Sequence, residues 1–358
     1  MRKASLLGFG VVYPETVRTN DAWPSEFGRS TSAGGGDRTF NDIAPPIDLE
    51  AARITAKHLA AEAVDPFLGV ERRNVSLPGE TAWDAEAAAA RLAMADAGVG
   101  PSDIDVVITY SVVPDRVQPT GPKIAHLLGI EGALAFGIDI ACASPIVQLE
   151  LAQALLASGA AKTVLLTQSH LMTRAFPMLH PAAPGIGDAA TAMVLGTRER
   201  WPLLGVHCVS HGDVYDAVTW IRSDDPAAET PWWKAGGDYR LGSRNVAQTK
   251  ALMRDTVAYG ARTLRELSAK VGIDPERIGL LASVQPRGFI PHAITEYVGL
   301  GWDAAVTTYR ERAHLGGCGP LANLEEARRQ GRLRPGAMVA LYGQGAGFTR
   351  GAALFRFD

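Results

Sequence analysis

Apolar residues follow two different spacings along this chain, and the alternation predicts strands and helices in turn. Residues 5–13 alternate as a strand does, residues 81–97 repeat apolar side chains at helical spacing, and residues 105–111 form the β-branched run of a strand buried on both faces. The same alternation continues to about residue 200. It predicts an α/β fold with parallel or mixed strands.

The remaining predicted elements fall into two series. In the first, residues 121–128 and 146–157 are helices, and residues 134–140 and 163–168 are strands. In the second, residues 203–210, 278–284, 305–309, 338–342 and 352–357 are strands, and residues 246–271, 292–298 and 321–330 are helices.

Each series ends in a glycine-rich turn that leads into an apolar strand, at residues 185–196 and 343–357. We interpret this similarity as an internal duplication, with halves at residues 1–200 and 201–358. Residues 26–66 interrupt the first half with turn-forming composition and one helix, at 49–63, and indicate a surface insertion. A loop without a role and a lid or partner-binding segment remain equal alternatives for it.

Composition narrows the classes of function. The chain has 358 residues, 47% of them hydrophobic, and a net charge of −3 without any block of lysine and arginine, so we expect no nucleic-acid partner. We also identify no signal peptide and no apolar stretch long enough to cross a bilayer, which favours a cytoplasmic protein without a membrane partner. The three cysteines argue against a disulfide framework and allow a reactive thiol.

Cys142 is the strongest candidate for that thiol. It lies on a tight turn between a predicted strand and helix, among small residues, and Pro145 suits the first turn of the helix. The positive end of the helix is expected to lower the cysteine pKa and favour the thiolate. The alternative, a small buried apolar residue, is equally consistent with this stretch alone.

A metal site is not expected. His207, Cys208 and His211 have ligand-type side chains at plausible spacing, but they lie on a predicted strand without further ligands nearby. No metal or other cofactor is therefore predicted.

The order of motifs resembles the thiolase superfamily, and within it the β-ketoacyl-acyl-carrier-protein synthase III family. The matching segments are residues 139–143, 155–166, 187–195, 331–336 and 345–357. The resemblance implies a duplicated five-layer αβαβα fold, a homodimer, and acyl transfer through a thioester on Cys142. It also implies an oxyanion hole made by the backbone N–H groups of Cys142 and Ala346.

The sequence departs from the family where condensing members carry a histidine and an asparagine. Val284 occupies the histidine position and His314 the asparagine position, so the pair of donors for an enolate is missing. His314 could instead act as a base toward the cysteine and then toward a hydroxyl, amine or thiol. The predicted activity is a Cys–His acyltransferase of secondary metabolism, of polyketide type, that does not decarboxylate; the residue that orients His314 is not identified.

Four further residues are candidates for the pocket: Gln285, Cys318, Trp232 and Trp233. The donor is expected to be an acyl carrier protein or acyl-CoA thioester, and Pro181 at the position of an expected CoA-binding arginine favours the carrier protein. The acceptor is a small molecule. A decarboxylating condensing enzyme and a catalytically silent partner subunit remain the alternatives.

Overall fold

The computed structural model describes residues 3–27, 43–225, 229–231, 233–234 and 237–357. Its strands are β1 (Ser5–Val12), β2 (Val17–Thr19), β3 (Arg72–Asn74), β4 (Val106–Ser111), β5 (Leu134–Gly137), β6 (Thr163–His170), β7 (Ala189–Gly196), β8 (Trp201–Ser210), β9 (Thr219–Arg222), β10 (Tyr239–Gly242), β11 (Leu280–Ser283), β12 (Ala305–Val306), β13 (Ala337–Gly345) and β14 (Thr349–Phe357). Its helices are α1 (Leu49–Glu62), α2 (Ala82–Ala97), α3 (Gly121–Leu128), α4 (Ser144–Ser158), α5 (Val246–Arg254), α6 (Thr256–Val271), α7 (Ile290–Val298), α8 (Tyr309–Arg312) and α9 (Gly319–Arg329).

Ten strands form one sheet that contains the same five-strand unit twice. The order is β12-β11-β13-β14-β8 in one half and β1-β7-β6-β4-β5 in the other, and the halves join where β1 pairs antiparallel with β8. Reading outward from that joint, each half places its first, fifth, fourth, second and third strands in the same sequence. The predicted α/β fold and its internal duplication are confirmed.

The helices lie in three layers around the two half-sheets. Helices α2 and α3 cover the outer face of the first half, and α6 and α7 cover that of the second. Helices α4 and α9 lie between the halves and contact strands of both. Their apolar side chains, such as Leu149 and Leu324, belong to the largest core cluster and are 0% exposed. The three helix layers and two half-sheets make the five-layer arrangement, in which α4 is packed between the two half-sheets.

One stretch of α4 is apolar enough to resemble a membrane span, contrary to the sequence-based expectation that no stretch is long enough. The window Ala141–Ser158 meets the length and hydropathy of a span. Within the fold, however, Ile146, Leu149, Ala152 and Leu156 pack into the core. The hydropathy of α4 therefore reflects its burial between two sheets.

Two predicted elements are wrong in detail. The helix predicted over residues 246–271 is two helices, α5 and α6, because Asp255 leaves the helical conformation, with φ −92° and ψ 4°. Its neighbour Arg254 is buried, pairs with the Asp255 carboxylate at 2.7 Å and donates to the Pro45 carbonyl. The strand predicted over residues 305–309 is only two residues long, since Tyr309 begins the short helix α8.

The insertion contributes one clear element. Helix α1 matches the helix predicted over residues 49–63 and is capped by the preceding Asp48, whose carboxylate accepts from the Ala51 N–H at 2.9 Å. It packs against α6 and α7. Residues 28–42, which carry most of the predicted insertion loop, lie outside the described residues.

Candidate active site

Cys142 lies on the turn that joins β5 to α4. The turn is held by side chains on both sides of it: the Ile140 N–H donates to Ser144 Oγ at 2.8 Å, and the Ala141 N–H donates to Asp139 Oδ1 at 2.9 Å. Ala141 has a φ of +47°, which is unusual for a residue with a β-carbon. The backbone thus reverses sharply just before the cysteine and presents its side chain toward the second half of the molecule.

His314 is fixed by backbone pairing with the glycine-rich loop of the first half. Its N–H donates to the Gly185 carbonyl at 2.9 Å, and the Gly187 N–H donates to the His314 carbonyl at 3.0 Å. A β-carbon at position 187 would lie 2.0 Å from the Arg312 carbonyl oxygen, so only glycine allows this approach. Backbone hydrogen bonds therefore join the two halves of the molecule at His314.

The two side chains meet at hydrogen-bond range for sulfur. Cys142 Sγ lies 3.9 Å from His314 Nε2. The other ring nitrogen of His314, Nδ1, is buried and makes no hydrogen bond of ordinary geometry to the residues described, although the Gln285 backbone lies near enough to raise the His314 pKa. A carboxylate that would orient the imidazole, as in a triad, is accordingly not found in this part of the chain, and the arrangement is a Cys–His dyad.

The electrostatics correct one expectation. The helix N-terminus does not make Cys142 a thiolate, since burial and the carboxylate of Asp139 raise its pKa to about 12. Burial and the neighbouring His170 lower the pKa of His314 to about 3. Both groups are therefore neutral at neutral pH, and His314 Nε2 is the ring nitrogen within reach of the thiol proton.

A cavity of about 190 Å³ opens in front of this pair. Most of its wall is apolar, which suits the hydrocarbon part of an acyl group. The apolar side chains of the wall are Val112, Ala141, Met172, Ile186, Val218, Leu241, Leu252, Met253, Pro286, Ile290, Ala346 and Phe348. Leu241 belongs to the β9–β10 hairpin and Val218 directly precedes β9; this hairpin is separate from the ten-stranded sheet.

The glycine-rich end of β13 and the loop that follows it lie against the turn that carries Cys142. A β-carbon at Gly345 would come within 2.4 Å of the Ile140 carbonyl oxygen and 2.9 Å of the Cys142 nitrogen. Ala346 follows it and lines the cavity together with Cys142. This close approach is compatible with the expected oxyanion hole from the backbone N–H groups of Cys142 and Ala346.

A second imidazole, which the sequence analysis did not single out, also lines the cavity. His170 is the last residue of β6 and is 2% exposed. Its ring centroid lies 5.6 Å from that of His314, with the planes at 67°. In the sequence, His170 is only a polar residue at the end of an apolar strand. Its position beside the dyad depends on the order of strands in the sheet, which the sequence does not give.

The other predicted pocket residues lie elsewhere. Gln285 is fully buried behind His314 and donates from Nε2 to the Ala313 carbonyl at 2.8 Å. Cys318 is also buried, and its thiol lies 3.4 Å from the Ala189 carbonyl oxygen, outside the cavity wall. Trp233 is 68% exposed, and Trp232 lies outside the described residues.

The histidines considered for metal binding take part in other contacts. His207 Nε2 lies 3.1 Å from a Glu266 oxygen, and His211 Nε2 accepts from Arg350 Nε at 3.0 Å. Among the described residues, no group of three or more His, Cys, Asp or Glu side chains has the arrangement of a metal site.

Comparison with known proteins identifies the class and then the family. The structure resembles the 3-oxoacyl-[acyl-carrier-protein] synthase III of Aquifex aeolicus VF5, with a TM-score of 0.77 and 20% identity, covering 99% of this chain and 100% of that one. It resembles the priming β-ketosynthase of the R1128 polyketide pathway equally, with a TM-score of 0.77 and 21% identity over 100% and 97% of the two chains. The fold is therefore that of the thiolase superfamily.

The sequence matches are more specific. Residues 136–212 match the family model of 3-oxoacyl-[acyl-carrier-protein (ACP)] synthase III, and residues 268–357 match the model of its C-terminal part. The β-ketoacyl-[acyl-carrier-protein] synthase III of Nitratidesulfovibrio vulgaris (Miyazaki F) is 30% identical over 331 residues, which is 90% of this chain and 96% of the relative. The chain belongs to the β-ketoacyl-acyl-carrier-protein synthase III family.

Proposed function

We propose that this protein is an acyltransferase that carries an acyl group on Cys142 and passes it to a hydroxyl, amine or thiol without decarboxylation. The acyl donor is a thioester of an acyl carrier protein or of CoA. The proposed setting is secondary metabolism of polyketide type, in the cytoplasm.

The observation that carries the proposal is the composition of the dyad. A neutral thiol at 3.9 Å from Nε2 of a neutral imidazole suits proton removal from sulfur during acylation. Decarboxylative condensation needs fixed N–H donors for the enolate oxygen, and Val284 supplies no side-chain donor. Its side chain is 1% exposed and belongs to the apolar cluster beneath α6 and α7.

The first half-reaction then proceeds in balanced steps. The proton of Cys142 moves to His314 Nε2 as sulfur bonds to the acyl carbon of the donor. The oxyanion that forms is held by the backbone N–H groups of Cys142 and Ala346. When the carbon–sulfur bond of the donor breaks, the departing thiolate takes the proton from His314, leaving the acyl-enzyme and a neutral imidazole.

A homodimer is part of the proposal. Strand β5 is an edge of the ten-stranded sheet, and its Leu134 is 62% exposed. Unpaired sheet edges with apolar side chains favour pairing with another strand, and a second copy of this chain offers an identical edge for a two-fold contact.

A decarboxylating condensing enzyme is the second candidate function. The relative at 30% identity bears the name of such a synthase, and the family match extends across both halves of the site. This alternative requires a donor other than the Val284 side chain to stabilise the enolate.

The experiment that separates these functions is intact-protein mass spectrometry with simultaneous trapping of carbon dioxide. Wild type, Cys142→Ala and His314→Ala are incubated with a panel of acyl-CoA and acyl-carrier-protein thioesters that includes malonyl donors. Cys208→Ala serves as the matched control, because Cys208 is a partly buried cysteine outside the cavity.

We expect an acyl adduct on wild type and Cys208→Ala, none on Cys142→Ala, and slow formation on His314→Ala, with no carbon dioxide released. Carbon dioxide released in proportion to product would favour the condensing enzyme. The absence of any adduct with every donor would favour a silent partner subunit.

A further inference from the structure

His170 occupies its position at a structural cost. A β-carbon at Gly316, whose φ is +52°, would lie 2.1 Å from Cδ2 of the His170 ring. Only glycine at position 316 therefore leaves space for the imidazole. The imidazole is 2% exposed and burial lowers its pKa. His170 lines the same cavity as Cys142 and His314, so its ring can contact a molecule bound there.

The hydrogen bonds of His170 determine which of its nitrogens carries the proton. Nδ1 lies 2.9 Å from the backbone carbonyl oxygen of Gly187. A carbonyl only accepts, so Nδ1 must be the protonated nitrogen and Nε2 must present a lone pair. The hydrogen bonds of the described residues include none at His170 Nε2, and this atom is not among their fully buried polar atoms without a partner, so it retains contact with the open space that His170 lines.

Because His170 Nε2 carries a lone pair, it can accept a hydrogen bond but cannot donate one. An enolate oxygen requires a donor, which His170 Nε2 in this tautomer cannot supply. A hydroxyl or amine has a hydrogen to give, and a lone pair in an apolar cavity is a suitable acceptor for it. His314, which faces Cys142, already serves the sulfur.

We propose that His170 is a second catalytic base, whose Nε2 receives the hydrogen of a hydroxyl or amine acceptor in the transfer half-reaction. This inference rests on the proposed acyltransferase function and makes it more specific: it selects acceptors that carry an O–H or N–H bond. In this proposal, His314 acts as the base in acylation and His170 acts as the base in transfer.

In the transfer step, the O–H bond of the acceptor breaks as its proton moves to His170 Nε2, and its oxygen bonds to the acyl carbon on Cys142. The tetrahedral oxyanion collapses, the carbon–sulfur bond breaks, and the ester leaves. The Cys142 thiolate then regains the proton held by His170, so both imidazoles end neutral.

The test measures the two half-reactions separately. Acyl-enzyme is prepared from the butyryl thioester of N-acetylcysteamine, freed of donor, and mixed with ethanol, ethylamine or thiophenol, the last at a pH where it is ionised. Thiophenolate has no proton to lose, so its attack does not require a base. Adduct formation and loss are followed by mass spectrometry.

The key variant is His170→Asn, whose amide can keep the bond to Gly187 while removing Nε2. The matched control is His292→Asn, since His292 Nδ1 also lies 2.9 Å from a backbone carbonyl, that of Trp302, but outside the cavity.

We expect His170→Asn to acylate within about twofold of wild type and to transfer to ethanol and ethylamine at least about 100-fold more slowly, with thiophenolate unaffected. The control should behave as wild type. Unchanged transfer to ethanol and ethylamine, or an equal loss in acylation or in the thiophenolate reaction, would overturn the assignment.

A second measurement does not depend on acyl transfer. If wild type forms no acyl-enzyme, the proposed function fails, and the ¹⁵N NMR spectrum of the histidine rings still tests His170. We expect the Nδ1–H tautomer for the resonance that disappears in His170→Asn. An Nε2–H tautomer would overturn the inference.

Discussion

Ala141 and Ala313, the residues just before Cys142 and His314, both hold positive φ angles, +47° and +60°. Ala313 also has a ψ of −160°, a region that is nearly restricted to glycine. Each member of the dyad is thus presented by an alanine whose backbone is strained. At Ala313 the conformation is held by its own backbone: its N–H donates to the Tyr309 carbonyl at 2.7 Å and its carbonyl accepts from Gln285.

We predict that Ala313→Gly raises the free energy of unfolding by about 1 kcal/mol. Relief of about 1 to 3 kcal/mol of backbone strain should exceed the entropic cost of glycine, roughly 0.5 to 1 kcal/mol. Urea unfolding measures the change. Ala293→Gly, at an equally buried alanine inside α7, is the control and should lose about 1 kcal/mol or more. Destabilisation by both variants would show that Ala313 is not strained.

Gly345→Ala should damage acylation by displacing the nucleophile turn. The new methyl group would press on the Ile140 carbonyl and the Cys142 nitrogen, and a shift of the turn of about 1 Å can reduce a rate by about 100-fold. The rate of adduct formation by mass spectrometry checks this. Gly279→Ala is the control, because a β-carbon there would meet only the Met338 carbonyl at an ordinary 3.7 Å; equal rates for both variants would contradict the prediction.

The neutral dyad predicts a particular pH dependence. Because the pKa of Cys142 is raised to about 12, alkylation by iodoacetamide should climb steadily between about pH 7 and 9 without a plateau. Because the pKa of His314 is lowered to about 3, the base stays unprotonated, and the rate of acylation should not fall between about pH 7 and 5. A plateau in alkylation below about pH 8 would instead indicate a thiolate–imidazolium pair.

Glu86 predicts a pH dependence of stability that differs from the usual carboxylate. It is fully buried, accepts from Ser169 Oγ at 2.7 Å, and burial raises its pKa to about 8. The folded state therefore binds a proton that the unfolded state loses above its own pKa of about 4.3. The stabilisation from Glu86 is complete below that pH and is lost as the pH rises to 8.

We accordingly expect Glu86→Gln to gain stability over wild type as the pH rises from about 5 to 8, by an amount on the order of a few kcal/mol. Chemical unfolding at several pH values measures this difference. Parallel stability curves for the two proteins would contradict a raised pKa at Glu86.

Sequence patterns were sufficient for the architecture because its signals are local. The periodicity of apolar residues located most strands and helices within a few residues, and the glycine-rich turns that end each of the two series indicated the duplication that the strand order confirms. The break at Asp255 escaped this reasoning, since it depends on a buried ion pair with Arg254 and on the Pro45 carbonyl about 200 residues away in sequence.

The site was less predictable because its properties arise from burial. A cysteine before a helix is predicted from sequence to be a thiolate, because the helix N-terminus lowers its pKa. In the structure, burial and Asp139 raise the pKa of Cys142 by more and keep the thiol protonated. The positions of His170 and Gln285 relative to the cavity were also not predicted from the sequence. The strand order moves His170 to the cavity, while Gln285, adjacent in sequence to Val284, turns away and supports the backbone before His314.

The β9–β10 hairpin places Val218 and Leu241 in the cavity wall, while Cys142, His314 and the glycine loop belong to elements anchored in the two half-sheets. Part of the cavity wall thus lies outside the elements that carry Cys142 and His314, although most of its apolar side chains do not belong to the hairpin. Under the proposed function, we expect a hairpin of different bulk to change which acyl groups fit this part of the cavity without rebuilding the dyad.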